Sequence, residues 1–412
     1  MKKAIFYLLV CALLPAAASA DEGMWLVSTF QNMIYPQMKK EGLKLKPGEI
    51  YNEESPALCN AIVAVDGGMG TGSVISDKGL VITNHHVAYG DIHSLSTPAK
   101  NYLEEGFWAL EQKDELPLKG KTVTFLRKVA DVTDEALAIR DSLEKANSLG
   151  VFGTRKVYGI LERKYGKETP FEVECASMWK GKKYLLFYYE TYKDVRLVGA
   201  PPVKIGAFGG EQDNWGWPQH KGDFALYRVY GDAKGRPAAY SKDNVPITPR
   251  KVLNVSTGGI HDRDYAMVIG FPGRTNRYMS SFAVREKEYV TNPIVIKARH
   301  DRLDIMKRHM EADPDVRLMY SDKYFGISNY ADYAKWENIC LRRYDVIGIR
   351  AAEEQRLAAW IDADPARKAK YGDLLANLKK GYEARAQAVR CKCYYQETWI
   401  RPSDVMMTAN RL

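Results

Sequence analysis

From about Asp21 to Ser256 the apolar residues fall in short runs of period two, separated by glycine and polar turns. The runs occupy 61–65, 72–76, 80–83, 121–126, 184–192, 195–198 and 224–229. Side chains alternate across a strand, so this rhythm predicts an antiparallel sheet of the barrel or sandwich type. Residues 132–150 break it: Glu135, Ala138, Ile139, Leu143 and Ala146 have helical spacing and predict a helix carried on the barrel surface. Past Gly273 glycine becomes sparse and helix formers dominate about 282–311, 329–362 and 365 onward. Asp364 before Pro365 predicts an N-cap with proline at the first helical position. The last helix carries Leu374, Leu375, Leu378, Tyr382, Ala386 and Val389 on one stripe, and such a stripe is expected to be buried.

The first twenty residues do not belong to this pattern. Lys2 and Lys3, an apolar run at 4–14 and Ala18-Ser19-Ala20 have the order of a secretory signal peptide, so the mature chain is expected to begin near Asp21 and to be exported. Cys11 follows Val10 and not a small residue, which argues against a lipid anchor. Roughly 390 remaining residues exceed one ordinary core and predict more than one domain. The net charge of +9 falls to +7 without Lys2 and Lys3, and its cations alternate with acids, so no nucleic-acid partner is expected. No later run is long enough for a membrane span. Cys59, Cys175, Cys340, Cys391 and Cys393 are odd in number, which in an oxidising compartment leaves at least one free thiol or an intermolecular bond. Cys391 and Cys393 lie two apart in a predicted helix, on different faces, and should not bond to each other. No cysteine or histidine spacing points to a metal, and no cofactor is expected.

Candidate chemistry centres on a hairpin. Gly70-Thr71-Gly72-Ser73 leads through an Asp77-Lys78-Gly79 turn into Thr83-Asn84-His85-His86, and Gly222-Asp223-Phe224 opens a later apolar strand. In a two-barrel serine protease the first barrel supplies a histidine and then an aspartate, and the second barrel supplies the serine. His86 is the expected general base, Asp223 the residue that orients its imidazole, and His85 is expected to face the other way and pack. No Gly-x-Ser-Gly-Gly, Gly-Asn-Ser-Gly or Gly-x-Ser-x-Gly turn follows Asp223. The nucleophile is therefore expected elsewhere, and the chain reads as the first part of an enzyme.

Several segments together closely resemble the bacterial dipeptidyl-peptidase 7 and 11 family of serine exopeptidases: the hairpin into His86, residues 101–109, residues 208–224, residues 268–278 and Tyr324-Phe325-Gly326-Ile327-Ser328-Asn329. The resemblance implies an α+β multi-domain fold: a chymotrypsin-like double barrel with an inserted helical domain that caps the cleft. The chain is then expected to hold a signal peptide (1–20), a first β-barrel with His86 and Asp223 (21–280) and an incomplete helical domain (281–412), without the second barrel. The implied activity is release of dipeptides from peptides with a free N-terminus, in the periplasm or envelope of a Gram-negative bacterium, with homodimerisation a family expectation. The resemblance also implies that Asn214, Trp215 and Asn329 hold the substrate α-ammonium. Read from the residues alone, Asn214-Trp215 is a loop anchor with a packed indole and Asn329 a helix N-cap before Tyr330. Family members carry cysteines where this chain has Gly70 and Val87, so one disulfide beside the histidine is expected to be lost. Two other readings are a catalytically dead product that binds peptide N-termini, and an HtrA-like endoprotease.

Overall fold

The computed structural model describes residues 23–150, 153–210 and 214–410. The expected signal peptide lies outside the described residues. Eleven strands form one antiparallel sheet: β1 (Ile62–Val65), β2 (Gly70–Val74), β3 (Leu80–Thr83), β4 (Phe107–Trp108), β5 (Leu116–Pro117), β6 (Val123–Asp131), β7 (Glu172–Met178), β8 (Lys183–Tyr192), β9 (Asp194–Ala200), β10 (Ala225–Gly231) and β11 (Val245–Pro246). Their order is β4-β9-β10-β3-β2-β1-β6-β8-β7, with β5 added to β9 and β11 to β10. The expected antiparallel sheet is present, and its path is open: among the described residues β4 and β7 do not pair to close a barrel. Alternation buries Val63, Val65, Val74, Val81, Phe125, Leu197 and Tyr227 in one core.

The β2–β3 hairpin pairs Ser73 with Ile82 and Val74 with Val81. Gly79 makes its turn at φ +64°, and a Cβ there would lie 2.9 Å from the Val229 carbonyl, so both conformation and space require glycine. β3 runs directly into α1 (His85–Leu95), a helix the strand-and-loop reading did not foresee. The helix expected within 132–150 is α2 (Thr133–Lys145). With α3 (Gly153–Gly166) it covers the β6-β8-β7 end of the sheet, burying Ala136, Val157 and Leu161 against Tyr184, Leu186 and Tyr188.

The helical half holds α4 (Asn292–Ala312), α5 (Pro314–Arg343), α6 (Val346–Asp362) and α7 (Leu374–Tyr394). α5 starts fifteen residues before the expected Asn329, because Asp313 caps it by accepting from the amides of Asp315 and Val316 ahead of Pro314. Asn329 is therefore inside a helix, and its reading as an N-cap is corrected. Asp364 caps Pro365–Tyr371 as its sequence predicts, accepting from the Arg367 amide. The stripe on α7 stays largely uncovered: none of its residues is buried, Leu374 and Leu378 are exposed, and contact is limited to pairs such as Tyr382 against Phe282. All five cysteines of the described residues are unpaired, including Cys391 and Cys393. No helix of the described residues is long and apolar enough to cross a membrane.

Candidate active site

His86 occupies the second position of α1, and its ring Nδ1 lies 2.8 Å from Asp223 Oδ2. The other Asp223 oxygen accepts the His86 backbone N–H at 3.0 Å. That amide is one of the first-turn donors a helix cannot satisfy itself, so Asp223 caps α1 from a distant part of the chain. Asn84 stands at the N-cap position but makes no cap bond; its amide donates to Asp223 Oδ2 at 3.1 Å and to the Asp223 carbonyl at 3.2 Å. Pairing of Ala225 with Thr83 across β10 and β3 sets this juxtaposition, since the two strands deliver Asp223 and His86 from adjacent ends. Burial by itself would raise the Asp223 carboxyl, but the bonds from the His86 ring and amide, the His86 charge and the Asn84 amide hold it below its usual value. A carboxylate on Nδ1 keeps the proton there and leaves Nε2 as the free basic nitrogen, on a ring that is 54% exposed.

His85 turns the other way, into the core, where it is 1% exposed. Its Nε2 has no hydrogen-bond partner, and burial pushes its pKa down. A Cβ on Gly206 would lie 2.4 Å from the His85 ring, so that glycine is the floor on which the imidazole rests.

The three residues expected at the substrate amine also come together. Asn329 Oδ1 accepts from Asn214 Nδ2 at 3.1 Å and from the Trp215 indole N–H at 2.8 Å. Trp215 adopts φ +66°, unusual outside glycine, and its ring meets Tyr333 edge-on at 5.1 Å. A Cβ on Gly216 would lie 2.4 Å from the Trp336 indole. Asn329, Tyr333 and Trp336 are spaced four and three apart, so one face of α5 receives the whole Asn214–Gly216 segment.

The same face continues toward α1. Phe325 stacks on Tyr89 with centroids 4.7 Å apart, and the Leu318 carbonyl meets His93 Nε2 at 2.7 Å. One stripe of α5 thus packs against the helix that carries His86 at one end and against Asn214 and Trp215 at the other. Beside the Tyr89–Phe325 contact lies a cleft of about 480 Å³, lined also by Val203, Lys204, Ala207 and Phe208. Sequence reasoning singled out neither Tyr89 nor Tyr333 nor Trp336; the three-and-four spacing from Leu318 to Trp336 was the signal available. Of the segment at 208–224, residues 211–213 lie outside the described residues.

A histidine–aspartate pair and an amide cluster thus sit on elements that α5 ties together. The chain belongs to the peptidase S46 family, whose pattern matches residues 20–412. It is 43% identical over 366 residues to the Asp/Glu-specific dipeptidyl-peptidase of Porphyromonas gingivalis, covering 87% of this chain and 51% of that protein. It is 38% identical to the dipeptidyl-peptidase 7 of Capnocytophaga gingivalis, covering 100% of this chain and 57% of that protein. The crystal structure of Porphyromonas endodontalis DPP11 in complex with substrate superposes with a TM-score of 0.83 at 33% identity, over 92% of this chain and 55% of that one. The chain therefore spans about half the length of the curated relatives it matches.

Proposed function

We propose that this chain is the histidine- and aspartate-bearing part of an exported serine dipeptidyl aminopeptidase. The observation that carries the reading is the Asp223 carboxylate bonded at once to the ring and the backbone amide of His86. His86 Nε2 takes the proton of a serine hydroxyl supplied from outside residues 1–412 as that oxygen attacks the scissile carbonyl, and returns it to the leaving amine. Asp223 holds the tautomer and stabilises the imidazolium. The acyl-enzyme is then released by water activated through the same nitrogen. These roles accord with the sheet being the first barrel of a chymotrypsin-like pair.

Asn214, Trp215 and Asn329 receive the free α-ammonium of the peptide. Two donors already fill the lone pairs of Asn329 Oδ1, so its position is fixed before substrate arrives. Asn214 offers its own amide oxygen and Trp215 its backbone carbonyl, while Asn329 holds both in place through the two bonds it accepts. Amide oxygens bind an ammonium without neutralising it, and an amine held at a fixed distance from His86 makes the second peptide bond the one that is cut. The small-residue cleavage pattern at Ala18-Ser19-Ala20 supports export, and the likeness to bacterial dipeptidyl-peptidases makes the periplasm or envelope of a Gram-negative bacterium the proposed destination.

The test is mass spectrometry of products formed by the full-length protein from matched free and N-acetylated peptides. Dipeptides released only from the free peptides are expected. Cleavage of the acetylated peptides at a comparable rate would overturn the exopeptidase reading in favour of an endopeptidase.

A further inference from the structure

Around the buried Lys121 lies an ionic cluster that the proposed chemistry does not use. Lys121, 5% exposed, places its ammonium 2.5 Å from Asp66 Oδ2 and 2.6 Å from Asp91 Oδ2. The same Asp91 oxygen accepts the hydroxyl of Tyr227 at 2.5 Å, and Lys121 also sits 5.6 Å above the Tyr227 ring. Asp66 is fixed in turn by the Thr122 amide at 3.1 Å. A buried charge costs several kcal/mol unless paired, and the two carboxylates beside Lys121 offset that cost.

The elements it joins are informative. Asp91 belongs to α1, five residues after His86; Tyr227 belongs to β10, four residues after Asp223; Lys121 and Asp66 lie at the ends of β6 and β1. Tyr227 is wholly buried, and burial beside Asp91 raises its pKa well above the usual value, so it stays a hydroxyl donor. On its opposite side α1 is held by Tyr89 on Phe325 and by His93 on the Leu318 carbonyl. Ala88 and Ile92 of α1 share an apolar core with Ala225 and Tyr227 of β10, and the Asp91–Tyr227 bond adds a polar tie with a defined direction beside the His86–Asp223 dyad.

Resting on the reading of His86 and Asp223 as base and orienter, we infer that Asp91 is a positioning residue. Clamped by Tyr227 and Lys121, it locks the His86 helix to the Asp223 strand and so sets the His86–Asp223 distance. Misplacement of a reacting group by about 1 Å costs on the order of a hundredfold in rate, so a clamp of this kind is worth keeping at the cost of buried charge. The groups facing Asp91 are Lys121, Tyr227 and Asp66; the charge on Asp66 adds to burial in favouring Asp91 protonation, and Lys121 and the Tyr227 hydroxyl oppose it.

Tyr227→Phe removes one hydroxyl and keeps the ring; Asp91→Asn removes the charge and keeps the shape. In the full-length protein both should lower kcat, by about tenfold for Tyr227→Phe and more for Asp91→Asn, with KM changed less than about twofold. The NMR resonance of the proton between His86 Nδ1 and Asp223 should shift in both variants. That readout needs no substrate, so an absence of dipeptide release by the wild type would sink the functional reading while leaving this inference testable. A folded Tyr227→Phe protein with an unchanged His86 proton resonance and unchanged kcat overturns the inference. If Asp91→Asn does not fold, Tyr227→Phe decides alone.

Discussion

Gly70 and Val87 face each other so closely that a Cβ on Gly70 would lie 2.6 Å from one Val87 methyl and 2.8 Å from the other. Gly70 begins β2, and Val87 follows His86 in the first turn of α1, so this contact seats the histidine against the sheet. The two positions are those where the resemblance expects cysteines. The small side of the contact and the branched side fill, by packing, the space a disulfide would span.

That complementarity predicts a compensating pair. Gly70→Ala should destabilise the fold by about 1–3 kcal/mol, because the methyl meets two others and not a flexible chain end. Adding Val87→Ala should recover most of the loss, and additive effects in thermal or urea unfolding would refute the contact as its cause. Gly70→Cys with Val87→Cys should close a disulfide in oxidising conditions, detected as loss of free thiol relative to either single variant.

Removal of the dyad separates chemistry from folding. In the full-length protein His86→Ala should lower turnover on the order of 10³–10⁴-fold, and Asp223→Asn comparably, since a neutral amide no longer selects the tautomer. His86→Ala should leave the unfolding temperature nearly unchanged, because the ring is half exposed. Asp223→Asn should lower it somewhat through the lost cap on α1. Full activity in the His86→Ala protein would discard the assignment.

Acid stability should carry two steps of the same sign. His85 has a native pKa below the ordinary 6.5 because it is buried, so the unfolded chain binds the proton more readily and stability falls as pH drops below about 6.5. Asp223 has a native carboxyl below the ordinary 3.8, so its contribution is present above that value and is lost as pH falls through it. His85→Phe should flatten the first step and Asp223→Asn the second, in denaturation midpoints measured from pH 7 to 3. A first step that survives His85→Phe would assign it to another group.

Asn329 is the node of the amine site, and replacing it with leucine leaves the Asn214 amide and the Trp215 indole without their shared acceptor. KM for peptides with free N-termini should rise about tenfold, with kcat changed less. Trp215 fluorescence should respond, because the bond and the Tyr333 contact hold that indole in place. Equal KM values for free and acetylated peptides in the wild type would remove the reason for the site.

What the sequence determined by itself was local. The hairpin ahead of His85-His86, the strand that follows Asp223 from Ala225, the helix after Thr133 and the cap at Asp364 are all set by alternation, turn residues and capping within a dozen positions. The tertiary structure alone decided that a strand-and-loop reading of His86 gives way to a helix, since the cap of α1 is the carboxylate of Asp223, supplied from just ahead of β10. It decided likewise that α5 passes through Asn329, that its one face spans from α1 to Trp215, and that Lys121 is shared by Asp66 and Asp91. The physical reason is the range of the forces involved. Backbone preference and hydrophobic period act between near neighbours, whereas a cap, a buried ion cluster and the choice of partner for a helix face depend on which distant segments the folded chain brings within about 3 Å.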